Sequence, residues 1–263
     1  MALFGNNKKS SGVGGRKRDR ELRIISDSTS FGFREAYRAL RTNLNYVMES
    51  GKIGHVIMVT SSVPAEAKSN ISANICVSMA LEKKKTLLVD CDLRKGTLHR
   101  YLGISRRQSG LVEYLSGVES DWHKCIVHLD EYGIDFMPSG MIVDNSTELL
   151  ADPSTGRLFN ELAGAYDIVI CDTPPVNAVA DTSVLSRYTD GAILVVSHNQ
   201  VTKDNVRAAK AQLEASNTNI LGVVLSMFDA TKTGMDNTKQ YSYYNYNYSG
   251  GYGYNNESTE EKK

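Results

Sequence analysis

The sequence lacks three features that would place it at once in a large class of proteins. Its 30 basic and 30 acidic residues leave no net charge, so no bulk attraction to nucleic acid is indicated. No apolar run approaches the roughly 20 residues of a membrane-spanning helix. Its four cysteines form no C-x-x-C pair, which favours buried thiols in a reducing compartment over zinc ligands or disulfides. We therefore expect a globular, cytoplasmic protein.

Composition divides the chain into three segments. Residues 1–28 are polar and carry a basic cluster, which predicts a flexible tail. Residues 29–230 have ordinary globular usage and suffice for one α/β domain. Residues 231–263 predict a disordered tail, because no aliphatic side chain between 241 and 254 could build a core. This last segment holds a tyrosine cluster: Tyr241, Tyr243, Tyr244, Tyr246, Tyr248, Tyr252 and Tyr254.

Apolar strands alternate with helical patterns along the middle segment. Strands are predicted at 55–60, 86–89, 134–137, 166–171, 191–196 and 220–225. Helices are predicted at 32–48, 68–82, 96–102, 110–116, 153–164, 180–187 and 203–215. This alternation predicts a parallel β-sheet with helices on both faces. Ligands of such sheets bind at the carboxyl ends of the strands.

The loop after the first strand resembles the phosphate-binding pattern G-x-x-x-x-G-K-[ST] without its glycines. Lys68 and Ser69 stand at the Lys and hydroxyl positions, whereas Ser62 and Ala67 replace the two glycines. In a working loop, Lys68 would lie between the terminal phosphates and Ser69 would bind Mg²⁺. The alternative is a solvated lysine at the start of a helix.

Carboxylates end two further strands. Asp90 and Asp92 follow strand 86–89, and Asp172 follows strand 166–171. Asp172 suits a magnesium partner, and of the first pair one could act on magnesium and the other as a base. Each could instead be a helix cap. All three at strand ends of one sheet, beside the lysine loop, predict a nucleoside triphosphate site.

These motifs together resemble the bacterial tyrosine kinases of capsule and exopolysaccharide synthesis, over about residues 30–254. The resemblance rests on the loop 61–69, on Leu87–Arg94, which is similar to a second Walker A motif, and on Val169–Pro175, similar to a Walker B motif. It also rests on the E-x-x-R-x-x-R pattern of Glu35, Arg38 and Arg41 and on the tyrosine cluster. It implies a P-loop NTPase fold similar to that of septum-site and partition ATPases.

The resemblance implies an autokinase that uses ATP and Mg²⁺. The implied nucleotide-binding residues are Pro64, Ala65, Glu66, Ala67, Lys68, Ser69, Asn70 and Ser226. The implied metal ligands are Ser69, Asp90 and Asp172, and the implied catalytic residues are Lys68, Asp90 and Asp92. The tyrosine cluster would be phosphorylated in trans, which would regulate polysaccharide synthesis and export.

The resemblance also implies partners. Glu35, Arg38 and Arg41 would mediate assembly of a homo-oligomeric ring. A separate transmembrane adaptor of the polysaccharide co-polymerase type would recruit the protein to the inner face of the plasma membrane. A cognate tyrosine phosphatase would reverse its phosphorylation, and no nucleic acid partner is implied.

The chain departs from the family at the nucleotide site. The family loop reads P-G-E-G-K-[ST]-T, whereas Ala65 and Ala67 stand at its glycines, and Ser226 replaces an adenine-reading Asn. A positive φ would cost each alanine about 1–2 kcal/mol, and both together would weaken binding roughly 30- to 1,000-fold. An active autokinase is favoured, and a pseudokinase scaffold is the alternative. A septum-site or partition ATPase ranks last, since Val63 stands where that class has an extra lysine.

Overall fold

A computed structural model describes residues 22–48, 51–105, 107–198 and 200–228. Within them, seven strands form one sheet in the order β3-β4-β2-β5-β1-β6-β7. The strands are β1 (His55–Ser61), β2 (Thr86–Asp90), β3 (Val127–Leu129), β4 (Ile134–Met137), β5 (Ile168–Asp172), β6 (Gly191–Ser197) and β7 (Ile220–Ser226). The helices are α1 (Phe31–Val47), α2 (Lys68–Ala80), α3 (Leu98–Tyr101), α4 (Leu111–Leu115), α5 (Ser146–Ala151), α6 (Pro153–Ala165), α7 (Asp181–Leu185) and α8 (Lys203–Ala215).

The predicted parallel α/β sheet is confirmed, with one addition. All the strand pairs are parallel except β3 with β4, which is antiparallel. The sequence analysis missed β3 because three residues are too short to show a period, and it missed α5 as well. Strands of the sheet centre read as continuous apolar runs because both faces are covered. Ile57 and Val59 of β1 pack on the α1 and α2 side, whereas Val56 packs on the α6 side.

Packing of the chain begins before the predicted boundary at residue 28. Ile25 is buried, and its backbone N–H donates to Asn74 Oδ1 on α2 at 2.8 Å. Residues 22–28 therefore include part of the core, which their polar composition does not show. None of the described helices is long and apolar enough to span a bilayer. The tyrosine cluster at 241–254 lies outside the described residues.

Candidate active site

Strand register brings the predicted carboxylates and the lysine together at the carboxyl ends of the central strands. Asp90 pairs with Asp172 across β2 and β5, and Val59 of β1 pairs with Asp172 from the other side. Helix α2 begins at Lys68, so the ammonium group of Lys68 reaches the same strand ends. Lys68 Nζ lies 3.3 Å from Asp172 Oδ2 and 3.9 Å from Asp92 Oδ2. The three strand-end carboxylates and the loop lysine thus form one cluster.

The charge of Lys68 is stabilised by its surroundings. Burial acts to lower its pKa, but the carboxylates of Asp172, Asp92 and Asp90 outweigh burial and raise the pKa above its usual value. Its Nζ also lies 3.4 Å from Ser69 Oγ. Lys68 is therefore a fixed cation directed at the space above the strand ends.

Asp90 and Asp92 differ in environment although they are two residues apart. Asp90 is fully buried, and burial followed by the Asp172 charge raises its pKa to about 8. Both effects favour the protonated form of Asp90, which makes it a poor proton acceptor. The Asp92 side chain is 15% exposed, and its Oδ1 accepts the backbone N–H of Lys95 at 2.9 Å. Of the two predicted catalytic carboxylates, Asp92 is thus the candidate base.

Asp172 is buried and positioned by α2. Ser72 Oγ lies 3.0 Å from Asp172 Oδ1 and 2.9 Å from the Lys68 carbonyl oxygen. Sequence reasoning missed Ser72, although a small polar residue four positions after Lys68 falls on the same helix face. Ser72 and Lys68 together orient the carboxylate that the sequence assigns to magnesium.

The phosphate-loop residues adopt the conformation that glycine ordinarily supplies. Ala65 has φ 70° and Ala67 has φ 65°, both in the left-handed region. Between them, Glu66 is 1% exposed and accepts three hydrogen bonds. The donors are Ser62 Oγ at 2.8 Å, the Val63 N–H at 2.8 Å and the Ser197 N–H at 2.9 Å. Contacts within the protein hold both alanines in this conformation. The strain therefore lowers the stability of the folded loop, and a ligand does not have to impose it on binding.

The residues at these strand ends fit a magnesium-bound polyphosphate. The N-cap of α2, Ala67, makes no side-chain hydrogen bond, so the first helical N–H groups can bind an anion. The described residues hold no group of three or more His, Cys, Asp or Glu suited to a metal. In P-loop chemistry, the Ser69 hydroxyl, an acidic partner such as Asp172 and phosphate oxygens would share the cation.

Other predicted nucleotide-binding residues lie at the margin of this cluster. Pro64 and Ala65 are exposed. Asn70 Nδ2 donates to the Arg23 carbonyl oxygen at 3.2 Å, next to the segment preceding α1. Ser226 Oγ donates to the Glu66 carbonyl oxygen at 2.8 Å. Ser226 is thus attached to the loop itself, and contact with a base stays a prediction.

An ion pair of the half-buried Arg94 with the buried Asp181, outside the predicted set, supports the segment after β2. Arg94 donates to both oxygens of Asp181, from Nε at 3.0 Å and from Nη2 at 3.1 Å. Ser146 Oγ and Thr147 Oγ1 donate to the same carboxylate. Burial acts to raise the pKa of Asp181, but these hydrogen bonds outweigh burial and lower the pKa. These hydrogen bonds to Asp181, which we call the Arg94–Asp181 clamp, fix the Asp90–Arg94 segment against α5 and α7.

The three residues of the predicted assembly motif differ in exposure and in their partners. Glu35 and Arg38 pair with each other at 2.6 Å, and the Arg38 side chain is 56% exposed. Arg41 is only 13% exposed, and its Nη1 donates to the Ser78 carbonyl oxygen at 2.7 Å. Arg41 also pairs with Glu82, so it joins α1 to α2 within the chain. A role of Glu35, Arg38 and Arg41 in assembly stays a prediction.

Comparison with known proteins identifies relatives of two kinds. A family model described as "ParA: NUBPL iron-transfer P-loop NTPase" matches residues 52–250. Tyrosine-protein kinase YwqD of Bacillus subtilis is 36% identical over 192 residues, covering 73% of this chain and 80% of YwqD. EpsB of Ralstonia solanacearum is 35% identical over 233 residues, covering 87% of this chain and 29% of EpsB. The chain therefore spans less than a third of the length of EpsB.

Solved structures agree with the sequence relatives. The kinase domain of Escherichia coli tyrosine kinase ETK matches with a TM-score of 0.70 and 32% identity, covering 74% of this chain and 77% of that one. The septum-site protein MinD of Pyrococcus horikoshii matches with a TM-score of 0.59 and 20% identity, over 72% of this chain and 76% of that one. The second likeness concerns the fold alone. All four cysteines of the chain are buried and free.

Proposed function

The chain belongs to the P-loop NTPases and, within them, to the bacterial tyrosine kinases, and from this premise we propose that it transfers a phosphoryl group from ATP to tyrosine. The observation that carries the proposal is the placement of Lys68 at the start of α2, 3.3 Å from Asp172 and 3.9 Å from Asp92. Lys68, Asp172 and Asp92 meet at the carboxyl end of the sheet, and they would suit the roles of cation, magnesium ligand and base that phosphoryl transfer uses.

The chain's own residues divide the work between binding and proton transfer. Mg²⁺-ATP, when bound, would supply the phosphoryl group. Lys68 and the first N–H groups of α2 would hold its phosphates, and Ser69 with Asp172 would hold the magnesium. Asp92 would accept the proton of the attacking tyrosine hydroxyl, since its side chain is partly exposed whereas Asp90 is fully buried and has a raised pKa.

The proposed acceptors are the tyrosines between 241 and 254, phosphorylated in trans by a second copy of the chain. The proposed setting is exopolysaccharide synthesis, with a membrane adaptor and a cognate phosphatase as partners. The relatives named tyrosine-protein kinases support transfer to tyrosine, and the setting follows from the resemblance of the motifs. Magnesium, ATP and recruitment to the inner face of the plasma membrane belong to the same proposal.

The test is phosphotyrosine formation in purified protein with Mg²⁺-ATP. Native protein should become labelled, and Lys68→Met should remove the signal because no other cation faces Asp172 at hydrogen-bond distance in the described residues. Lys203→Met, at an exposed position of α8, is the matched control and should retain the signal. Loss of signal in both variants, or in neither, would contradict the proposal.

Phosphorylation in trans has its own test. A chain with the seven tail tyrosines changed to phenylalanine has an intact site without acceptors, and Lys68→Met has acceptors without an intact site. Mixing the two should label the Lys68→Met chain. An unlabelled mixture beside labelled native protein would restrict transfer to within one chain.

A second candidate function is a pseudokinase scaffold, and the left-handed Ala65 and Ala67 favour it. It predicts a silent native protein and an active Ala65→Gly/Ala67→Gly variant. A labelled native protein excludes it.

A further inference from the structure

Glu66 links the strained loop to the carboxyl ends of β6 and β7, which follow β1 in the sheet. Its Oε2 accepts from Ser62 Oγ and the Val63 N–H within the loop, both at 2.8 Å. Its Oε1 accepts the Ser197 N–H at 2.9 Å, from the last residue of β6. The Ser197 hydroxyl has no hydrogen-bond partner among the described residues, so the backbone alone makes this contact. One carboxylate therefore joins the start of the loop to the end of β6.

The Glu66 backbone is attached to a second strand end. Ser226 Oγ donates to the Glu66 carbonyl oxygen at 2.8 Å, and Ser226 pairs in register with Ser197 across β6 and β7. Both serines are at most 7% exposed. Four hydrogen bonds thus fix the residue that lies between the two alanines.

Strain of the kind seen at Ala65 and Ala67 persists only where surrounding contacts over-determine it. An alanine in the left-handed region is less stable than in its preferred conformations. Buried N–H and O–H donors that lose their acceptor are themselves destabilising. The three donors that bond to Glu66 therefore oppose relaxation of the two strained alanines.

We propose that Glu66 and Ser226 are positioning residues that hold the phosphate loop in its left-handed form and so allow alanines to stand where glycines are expected. The proposal rests on nucleotide binding at this loop, as inferred above. It assigns Ser226 to the loop backbone. Neither residue takes part in chemistry, and their contribution is to nucleotide affinity.

The proposal predicts a dependence on the neighbouring alanines that a general structural role lacks. In the native background, Glu66→Gln places an amide N–H₂ where one of the backbone N–H donors must be accepted. The loop should relax, and the Kd for Mg²⁺-ADP should rise on the order of 10- to 100-fold. In an Ala65→Gly/Ala67→Gly background the left-handed form carries no Cβ strain. There the same substitution should change the Kd less than about threefold.

Matched controls separate the network from general destabilisation. Glu113 is also buried and also accepts two backbone N–H groups, from Gly110 and Met141, far from the loop in sequence. Glu113→Gln should leave the Kd unchanged. Ser226→Ala should raise the Kd by about threefold to tenfold in the native background alone. Its control is Ser186→Ala, which removes a buried hydroxyl bonded to the Ser183 carbonyl oxygen.

The experiment is titration calorimetry of Mg²⁺-ADP with these variants, together with hydrogen exchange of the amides of residues 62–69 without nucleotide. Faster exchange in Glu66→Gln that the two glycines reverse supports the proposal, even if no variant binds Mg²⁺-ADP and the proposed kinase function fails. Equal Kd changes in both backgrounds, an unchanged Kd in the native background, or exchange unaffected by Glu66→Gln overturns it.

Discussion

The phosphate loop and the carboxyl ends of β2 and β5 face each other across the candidate site, and they meet the demands of nucleotide chemistry in different ways. At the strand ends, the required side chains are present, and the register of the sheet places them. In the loop, the side chains Lys68 and Ser69 are present, but Ala65 and Ala67 occupy backbone conformations suited to glycine.

The difference shows that side-chain chemistry and backbone permissiveness are separate requirements of such a site. A missing carboxylate has no local substitute, because only a side chain at that strand end reaches the cation. A missing glycine can be offset, because neighbouring hydrogen bonds can hold an alanine in the left-handed region. Glu66 provides those bonds here.

Asp172→Asn should produce the largest effect, on the strand-end side of the comparison. Phosphotyrosine formation should fall about 10³-fold, which corresponds to roughly 4 kcal/mol of transition-state stabilisation. The free energy of unfolding should fall by less than this amount, because asparagine keeps the shape of Asp172 and Lys68 still has the carboxylate of Asp92 at 3.9 Å. Initial rates and urea unfolding measure the two quantities. A parallel loss of stability and activity would assign Asp172 a merely structural role.

Arg94→Ala should lower the free energy of unfolding by about 2–3 kcal/mol, less than for a fully buried pair because the Arg94 side chain is 35% exposed. The cause is that Asp181, fully buried, would lose its cation. Chemical denaturation measures this effect. Arg207→Ala, which removes an exposed pair with Asp204 on α8, is the control and should cost less than about 0.5 kcal/mol. Similar losses in both variants would mean that the clamp adds nothing.

Asp90→Asn should change how stability depends on pH. The folded pKa of about 8 lies above the unfolded value of about 4, so the folded state binds more protons between these values. This contribution to stability is complete below about pH 4, is lost as pH rises, and is absent above about pH 8. Between pH 5 and 7 the native slope should include a fall of about 1.4 kcal/mol per pH unit that the variant lacks. Unfolding curves at several pH values check this, and parallel slopes would refute it.

Ala65→Gly/Ala67→Gly should have the smallest effect, on the loop side. Relief of left-handed strain, partly offset by the greater freedom of glycine in the unfolded chain, should raise the free energy of unfolding by about 1 kcal/mol in total. Ala73→Gly, inside α2, is the opposite control and should be destabilising. Thermal unfolding measures both. A destabilised loop variant would mean that the alanines contribute packing that outweighs their strain.

The sequence predicted the sheet and the strand-end cluster because both follow from local patterns. Apolar runs mark the strands, and the carboxyl ends of parallel strands share an edge, so Asp90, Asp92 and Asp172 converge without further information. The contact between Glu66 and Ser197 joins residues 131 apart, and no local pattern predicts it. The pair of Arg94 with Asp181 and the inward position of Arg41 likewise depend on how helices pack on the finished sheet.

Nucleotide affinity tests most directly whether a loop with left-handed alanines still binds phosphate because contacts within the protein keep it in that conformation. Titration calorimetry should compare Mg²⁺-ADP binding to the native chain and to Ala65→Gly/Ala67→Gly. We expect the two Kd values to lie within about tenfold of each other, since the strain lowers the stability of the loop and not its affinity for nucleotide. A variant that binds more than about 100-fold more tightly, or a native chain that does not bind at millimolar nucleotide, would contradict it.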